Sequence, residues 1–144
     1  MDRFDALKLE NQLCFPLYAA AREVVKKYRP HLDAIGLTYT QYITMMVLWE
    51  ERVVGAKRLG ERLFLDSGTL TPVLKSLEAK ELVERRRSTD DERALTVALT
   101  EKGLALREQA VDVPAALGGC LDLSAQEAMQ LYALLYKLLG NEKN

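Results

Sequence analysis

The sequence predicts a mainly α-helical single domain carrying one small β-hairpin, and three observations lead there. Apolar residues recur at three- and four-residue steps over most of the chain. Two short amphipathic segments joined by a tight turn stand near its middle, and a stretch of strict alternation follows them. The size agrees, because 144 residues with 49% hydrophobic, 28% charged, 8 Gly and 4 Pro suit one globular domain and exclude a disordered or low-complexity chain.

The first periodic stretch runs from about Leu7 to Tyr28, with Leu9, Leu13, Leu17, Val24 and Tyr28 on helical steps. Pro16 interrupts it, so either the helix kinks or a new one starts near Phe15 and Pro16; both place Cys14 beside freed backbone N–H groups. Pro30 and Gly36 bracket a turn-prone segment, after which Thr38 to Gln41 match a capping box that opens a helix through Trp49. A turn is expected over Arg52 to Gly55. AKRLGERLF then reads as a short helix with Leu59, Leu63 and Phe64 on its inner side, and LDSGT connects it to TLTPVLKSLEAK, where Leu70, Leu74 and Leu77 face inward and Pro72 falls in the first turn. LVERRRS and ALTVALT form the hairpin around the polar STDDER, with Leu95, Val97 and Leu99 on one face. Thr100 caps a long helix that runs to a break around Pro114 and Gly118-Gly119, and Ser124 to Glu127 form a second capping box. The last helix, AMQLYALLYKLL, is apolar nearly all round, more than a terminal helix of a small domain can hide against its own core; pairing of both chain ends with a second copy accounts for it, a central core helix being the alternative.

A helix-turn-helix followed directly by a hairpin is the winged-helix arrangement. The resulting division is a winged helix-turn-helix over about 37–100, with its wing near 82–100, and a helical dimerisation region over about 1–36 and 101–144. The balance of 20 Lys plus Arg against 21 Asp plus Glu gives a net charge of -1, so DNA binding must rest on a local patch. Lys75 on the second helix of the motif, Arg85, Arg86 and Arg87 on the next strand, and Arg93 at the wing tip supply one. Ser67, Thr69 and Thr71 are small donors suited to phosphates or base edges. The competing reading for Ser67 is helix capping, and for the arginines a solvated face paired with Glu84, Asp90, Asp91 and Glu92.

Two cysteines and a single histidine, Cys14, Cys120 and His31, are too few for a four-ligand zinc centre, and no metal or other cofactor is expected. The charged N-terminus lacks a signal-type apolar region and no stretch is long enough to span a membrane, so a cytoplasmic protein with no membrane partner is expected, where a thiol pair is free or transiently oxidised. Tyr18 stands one helical turn after Cys14, and a helix N-terminus and hydroxyl donors both lower a thiol pKa and raise its reactivity toward peroxide. The competing reading is a buried cysteine packing as a small hydrophobe.

The runs LENQLCFPLYAAAREVVKKYRPHLDAIGLTYTQY, VLWEE and LGERLFLDSGTLTPVLKSLEAKELVERRRSTDDERALTVALTEKG resemble the organic-hydroperoxide resistance regulators of the MarR family, continuously over about residues 7 to 115. The resemblance implies a homodimeric winged-helix repressor that binds a palindromic operator when reduced and leaves it when a cysteine near the N-terminus is oxidised. It implies that Cys14 is the sensor, that Tyr28 and Tyr39 hydrogen-bond its sulfur with Tyr18 nearby, that Ser67, Thr69 and Thr71 lie on the recognition helix, and that Asp91 and Arg93 belong to the wing, whose arginine enters the minor groove. Some members carry a second cysteine that forms a disulfide with the sensor of the opposite subunit, and Cys120 is similar in placement. Glu81 stands where the family usually has glycine, at a position suited to a left-handed turn.

The expected function is therefore a peroxide-sensing repressor with double-stranded DNA and a second copy as partners and an organic hydroperoxide as oxidant, and not an enzyme. Two alternatives stay open at this point. One is a ligand-responsive repressor in which Tyr18, Tyr28, Tyr39 and Trp49 line a pocket for a phenolic or lipophilic effector. The other is a thiol peroxidase, against which the lack of a positioned arginine motif around Cys14 argues.

Overall fold

The structure is a computed structural model that describes residues 2–87 and 94–140. Two short 3-10 turns, Arg3–Leu7 and Leu9–Asn11, lead into helix α1, Cys14–Asp33. Of the two outcomes expected at Pro16, the structure takes the second: a new helix begins at Cys14, with Pro16 in its first turn, where a missing N–H costs nothing. Pro30 does not end α1, which continues to Asp33. Its position near the C-terminus and on an exposed face lets water satisfy the carbonyl that loses a partner. The chain then turns at Gly36, φ +73°, a left-handed conformation that glycine adopts at no steric cost.

Helix α2, Tyr39–Glu51, opens on the expected capping box: the Thr38 hydroxyl accepts from the Gln41 N–H and the Gln41 side chain accepts from the Thr38 N–H. Where a turn was expected after Arg52, residues Val53–Gly55 form strand β1. Three residues carry too little periodicity to declare a strand; the pairing with a distant segment makes it one. Helix α3, Ala56–Leu63, ends at Phe64, which takes a left-handed conformation and lies half exposed instead of facing inward. The turn after it passes so close to α3 that a Cβ on Gly60 would stand 2.8 Å from the Leu65 carbonyl oxygen. Helix α4, Ser67–Ala79, is capped by Asp66, whose carboxylate accepts from the Thr69 N–H. Pro72 sits in its second turn and not the first, on the exposed side.

Strands β2, Val83–Arg87, and β3, Leu95–Leu99, form the predicted hairpin, and β1 pairs with β3 from the other side, giving an antiparallel order β1-β3-β2. Being central, β3 is covered on both faces: Ala98 is buried as well as Val97, while Leu95 and Leu99 are half-buried. Helix α5, Glu101–Ala110, is capped by Thr100 and ends before the proline; Pro114 opens a further short helix, α6, Val113–Gly118. Helix α7, Ala125–Leu138, starts on the expected Ser124–Glu127 capping box.

The core lies where α2, α4 and the sheet meet, around Met45, Leu48, Leu59, Leu74, Leu77 and Val97. The two ends of the chain take little part in it. α1 buries only Leu32 and α7 buries no residue. No helix among the described residues is long and apolar enough to cross a membrane.

Candidate DNA interface and thiol sites

Helix α4 has two unlike sides. Leu70, Leu74 and Leu77 are buried, whereas Ser67, Thr69, Thr71 and Lys75 are exposed. The cap comes from Asp66, so the Ser67 hydroxyl is not the capping group. The Thr71 hydroxyl donates to the Ser67 carbonyl at 2.7 Å, and both residues border the cleft between α3 and α4 with Lys57 and Gly60. Exposed hydroxyls and a lysine on the second helix of such a motif are groups able to contact phosphates and base edges.

The arginines on β2 differ from one another. Arg85 grips Glu78 of α4: its guanidinium donates to one carboxylate oxygen at 3.2 and 3.0 Å, and its backbone N–H donates to the other at 3.0 Å. The same bonds hold the Glu78 carboxyl below the usual carboxylate range. Arg85 therefore fastens the second helix to the hairpin. Arg86 points to the other side of the strand and pairs in solvent with Glu84 at 3.1 Å, a weak contact that a phosphate can displace. Arg87 is exposed near the hairpin end. Asp91 and Arg93 lie outside the described residues.

Cys14 is the first residue of α1 and is exposed, with no side-chain cap at the preceding position, so the first N–H groups of the helix are open beside it. Tyr18 is one turn further on, 61% exposed, with the Arg22 guanidinium 5.6 Å from its ring centre. Tyr28 lies fourteen residues after Cys14 on the same helix, about 21 Å of axial rise. There it packs against Tyr39 and Tyr42, with ring centres 4.9 and 5.7 Å away. Burial, then the neighbouring phenols, push Tyr28 up to about 12, and burial raises Tyr39 and Tyr42 as well. The structure thus brings Tyr28 and Tyr39 together but keeps both far from the Cys14 of the same chain. Tyr42, one turn after Tyr39, completes the cluster; that spacing was readable in the sequence, and its burial was not.

Cys120 follows α6 and is also exposed, its thiol donating to the Ala116 carbonyl at 3.4 Å. Ala116 and Val113 line one small cavity with Pro30, His31 and Ala34, which puts α6 at the C-terminal end of α1, the end opposite Cys14. Among the described residues, Tyr39 and Trp49 of the aromatic set considered for an effector pocket line separate cavities. Tyr39 lines a cavity of about 300 Å³ with Val25 and Arg29, while Trp49 lines another of about 200 Å³ with Met46 and Arg107. The Trp49 indole N–H is committed to the Gly103 carbonyl at 2.8 Å.

Comparison with known proteins agrees with the winged-helix reading. A family described as "Transcriptional regulator SarA/Rot" matches residues 23–109. The organic hydroperoxide resistance transcriptional regulator of Bacillus subtilis is 49% identical over 138 residues, which are 96% of this chain and 94% of that one. The chain belongs to the organic-hydroperoxide resistance regulators of the MarR family. Among solved structures, reduced AbfR bound to DNA matches this regulator with a TM-score of 0.80 at 33% identity, over 96% of this chain and 95% of the other. AbfR, a protein of Staphylococcus epidermidis, has also been solved in a disulfide form, which matches with a TM-score of 0.64 at 36% identity over 94% and 95% of the two chains. In shape, the regulator stands nearer the reduced, DNA-bound relative.

A further group forms through contacts between residues far apart in the chain. Gln41, Ser76 and Lys80 form a hydrogen-bonded group between the first turn of α2 and the end of α4. Only the capping role of Gln41 was visible, because its other partners lie 35 and 39 positions away.

Proposed function

We propose that this regulator is a homodimeric repressor that binds a palindromic operator through α4 and the wing while Cys14 is reduced, and releases it when an organic hydroperoxide oxidises Cys14. The observation that carries the reading is the placement of the thiol and the phenols at opposite ends of α1. A second copy related by a two-fold axis, with its α1 running the other way, sets each Cys14 beside the tyrosine cluster of the other chain and covers the apolar faces that α1 and α7 leave open. Tyr28 and Tyr39, with Tyr18 nearby, then donate their hydroxyl protons to the thiolate. The protein acts in the cytoplasm as a regulator and not as a peroxidase.

In the oxidation step the Cys14 thiolate attacks one peroxide oxygen, the O–O bond breaks, and the alkoxide leaves to be protonated to the alcohol. The sulfur loses two electrons and becomes a sulfenic acid. The thiol of Cys120 in the other subunit condenses with it, forming the disulfide and releasing water. Disulfide geometry requires Cα atoms about 4.4 to 6.8 Å apart, so closing it moves the chain ends. Recognition helices that were spaced about 34 Å apart for successive major-groove faces no longer match the operator. On DNA, Ser67, Thr69, Thr71 and Lys75 face the major groove, Arg86 and Arg87 the backbone, and Asp91 and Arg93 supply the wing contact, with Arg85 holding the hairpin against α4.

An operator titration followed by fluorescence anisotropy, with and without cumene hydroperoxide, tests this. Wild type loses affinity on oxidation, whereas Cys14→Ser binds equally well in both conditions. Release of Cys14→Ser by the peroxide would overturn the sensor assignment. Absence on a non-reducing gel of a covalent dimer that depends on both Cys14 and Cys120 would remove the disulfide and leave sensing in place.

A further inference from the structure

We propose that Gln41 is a positioning residue that couples the tyrosine cluster to the recognition helix, through its hydrogen bonds to Ser76 and Lys80. This rests on the sensing reading above. The side chain is 5% exposed, and a buried amide is tolerated only when its polar atoms are satisfied. The Gln41 Oε1 accepts from the Thr38 N–H at 3.0 Å and from the Lys80 ammonium at 2.9 Å, while its Nε2 donates to the Ser76 hydroxyl at 2.7 Å. A capping box needs only the first of these. The other two cross to α4, and the Lys80 ammonium also donates to the Gly36 carbonyl at 2.6 Å, tying in the turn that joins α1 to α2.

The placement of this group makes it a link. Tyr39 is the first residue of α2 and Gln41 the third, so the ring that packs on Tyr28 of α1 and the amide that grips α4 share one rigid helical turn. Ser76 is in the last turns of α4 and Lys80 is its C-cap, while Ser67 to Lys75 on the same rod carry the exposed hydroxyls and the lysine. Apolar contacts between α2 and α4 permit sliding, because dispersion and burial are non-directional. Hydrogen bonds from a planar amide do not. A displacement of the tyrosine-bearing turn is therefore delivered to the C-terminal end of α4, and a rod about 14 Å long between Ser67 and Ser76 converts it into a tilt of the DNA-facing end.

A direct test separates the chemistry from its transmission. Gln41→Met keeps side-chain length without hydrogen bonds, and Gln41→Glu keeps the acceptors for Thr38 and Lys80. For each, Cys14 oxidation is followed by trapping the sulfenic acid with a dimedone probe and mass spectrometry, and operator affinity is measured before and after oxidation. The expected result for Gln41→Met is Cys14 oxidation at the wild-type rate, reduced-state binding close to wild type, and an oxidation-dependent loss of affinity at least about fivefold smaller than wild type. Gln41→Glu restores most of that loss, a rescue that a purely packing role does not predict. Ser76→Ala, at a half-buried hydroxyl, weakens the response in the same direction and serves if Gln41→Met does not fold. A wild-type response in both Gln41→Met and Ser76→Ala would overturn the proposal alone. Loss of reduced-state binding in both would also overturn it, assigning the group to stability. Wild type that keeps its operator after Cys14 oxidation would overturn the sensing reading, and the coupling with it.

Discussion

A phenol donates a hydrogen bond only while it keeps its proton, and burial in the Tyr28, Tyr39 and Tyr42 cluster extends that condition to higher pH. Tyr28 is raised from 10.0 to about 12 by burial and by its two neighbours. Below pH 10 the folded and unfolded chains both hold this proton, and its stability contribution is intact. Between pH 10 and about 12 the unfolded chain loses the proton while the folded one keeps it, so stability falls as pH rises through that window. Urea midpoints measured from pH 9 upward will decline there, and Tyr28→Phe will decline less; equal curves for the two proteins would show that Tyr28 ionises normally. The phenol pair could be named from its resemblance to a known family, but the third ring and the separation from Cys14 needed the fold. The same holds for Arg85, which reads as one of three equivalent cations in sequence yet is committed to Glu78 in space. Sequence shows a charge and not its partner.

At the scale of the elements, features made by residues three or four apart were legible, and features made by distant partners were not. The capping boxes at Thr38 and Ser124 were readable because donor and acceptor lie within one turn. Strand β1 was hidden because its three residues become a strand only through Val53, Val54 and Gly55 pairing with Ala98, Val97 and Thr96. The turn between α4 and β2 belongs to the legible kind. Glu81 takes φ 62°, the left-handed turn to which its position was expected to be suited, and a non-glycine residue there costs about 1 kcal/mol or more. Its side chain returns little, meeting Lys102 at 3.8 Å in solvent, while its backbone carbonyl accepts from the Thr100 hydroxyl whatever the side chain. Glu81→Gly is therefore expected to stabilise the protein by roughly 0.5–1 kcal/mol, the gain being trimmed by the added freedom of glycine in the unfolded chain. Chemical denaturation measures it, and a lower midpoint for Glu81→Gly would mean that the left-handed turn carries no strain.

For the molecule as a whole, the question is what covers its ends. The winged-helix unit closes around its own core, whereas α7 leaves Met129, Leu131, Leu134 and Leu138 open and the N-terminal segment leaves Phe4, Leu7 and Leu13 open. A folded chain rarely presents so much apolar surface from both termini unless a partner covers it, and a second copy supplies the same two segments in a complementary two-fold arrangement. Leu134 is the position to test, since it is 59% exposed and a charge there is solvated in the single chain. In a dimer the same charge is desolvated without a partner, a cost of several kcal/mol for each copy. Leu134→Glu is therefore expected to keep its helical circular dichroism and thermal transition but to sediment as a monomer where wild type sediments as a dimer. Its operator affinity falls by about a hundredfold or more, because two half-sites are no longer bound by one molecule. On the proposed arrangement, in which the phenols that favour the thiolate come from the other chain, Cys14 oxidation slows as well. A wild-type protein that sediments as a monomer at micromolar concentration would remove the dimer, and with it the pairing of Cys14 with a tyrosine cluster that its own helix α1 holds about 21 Å away.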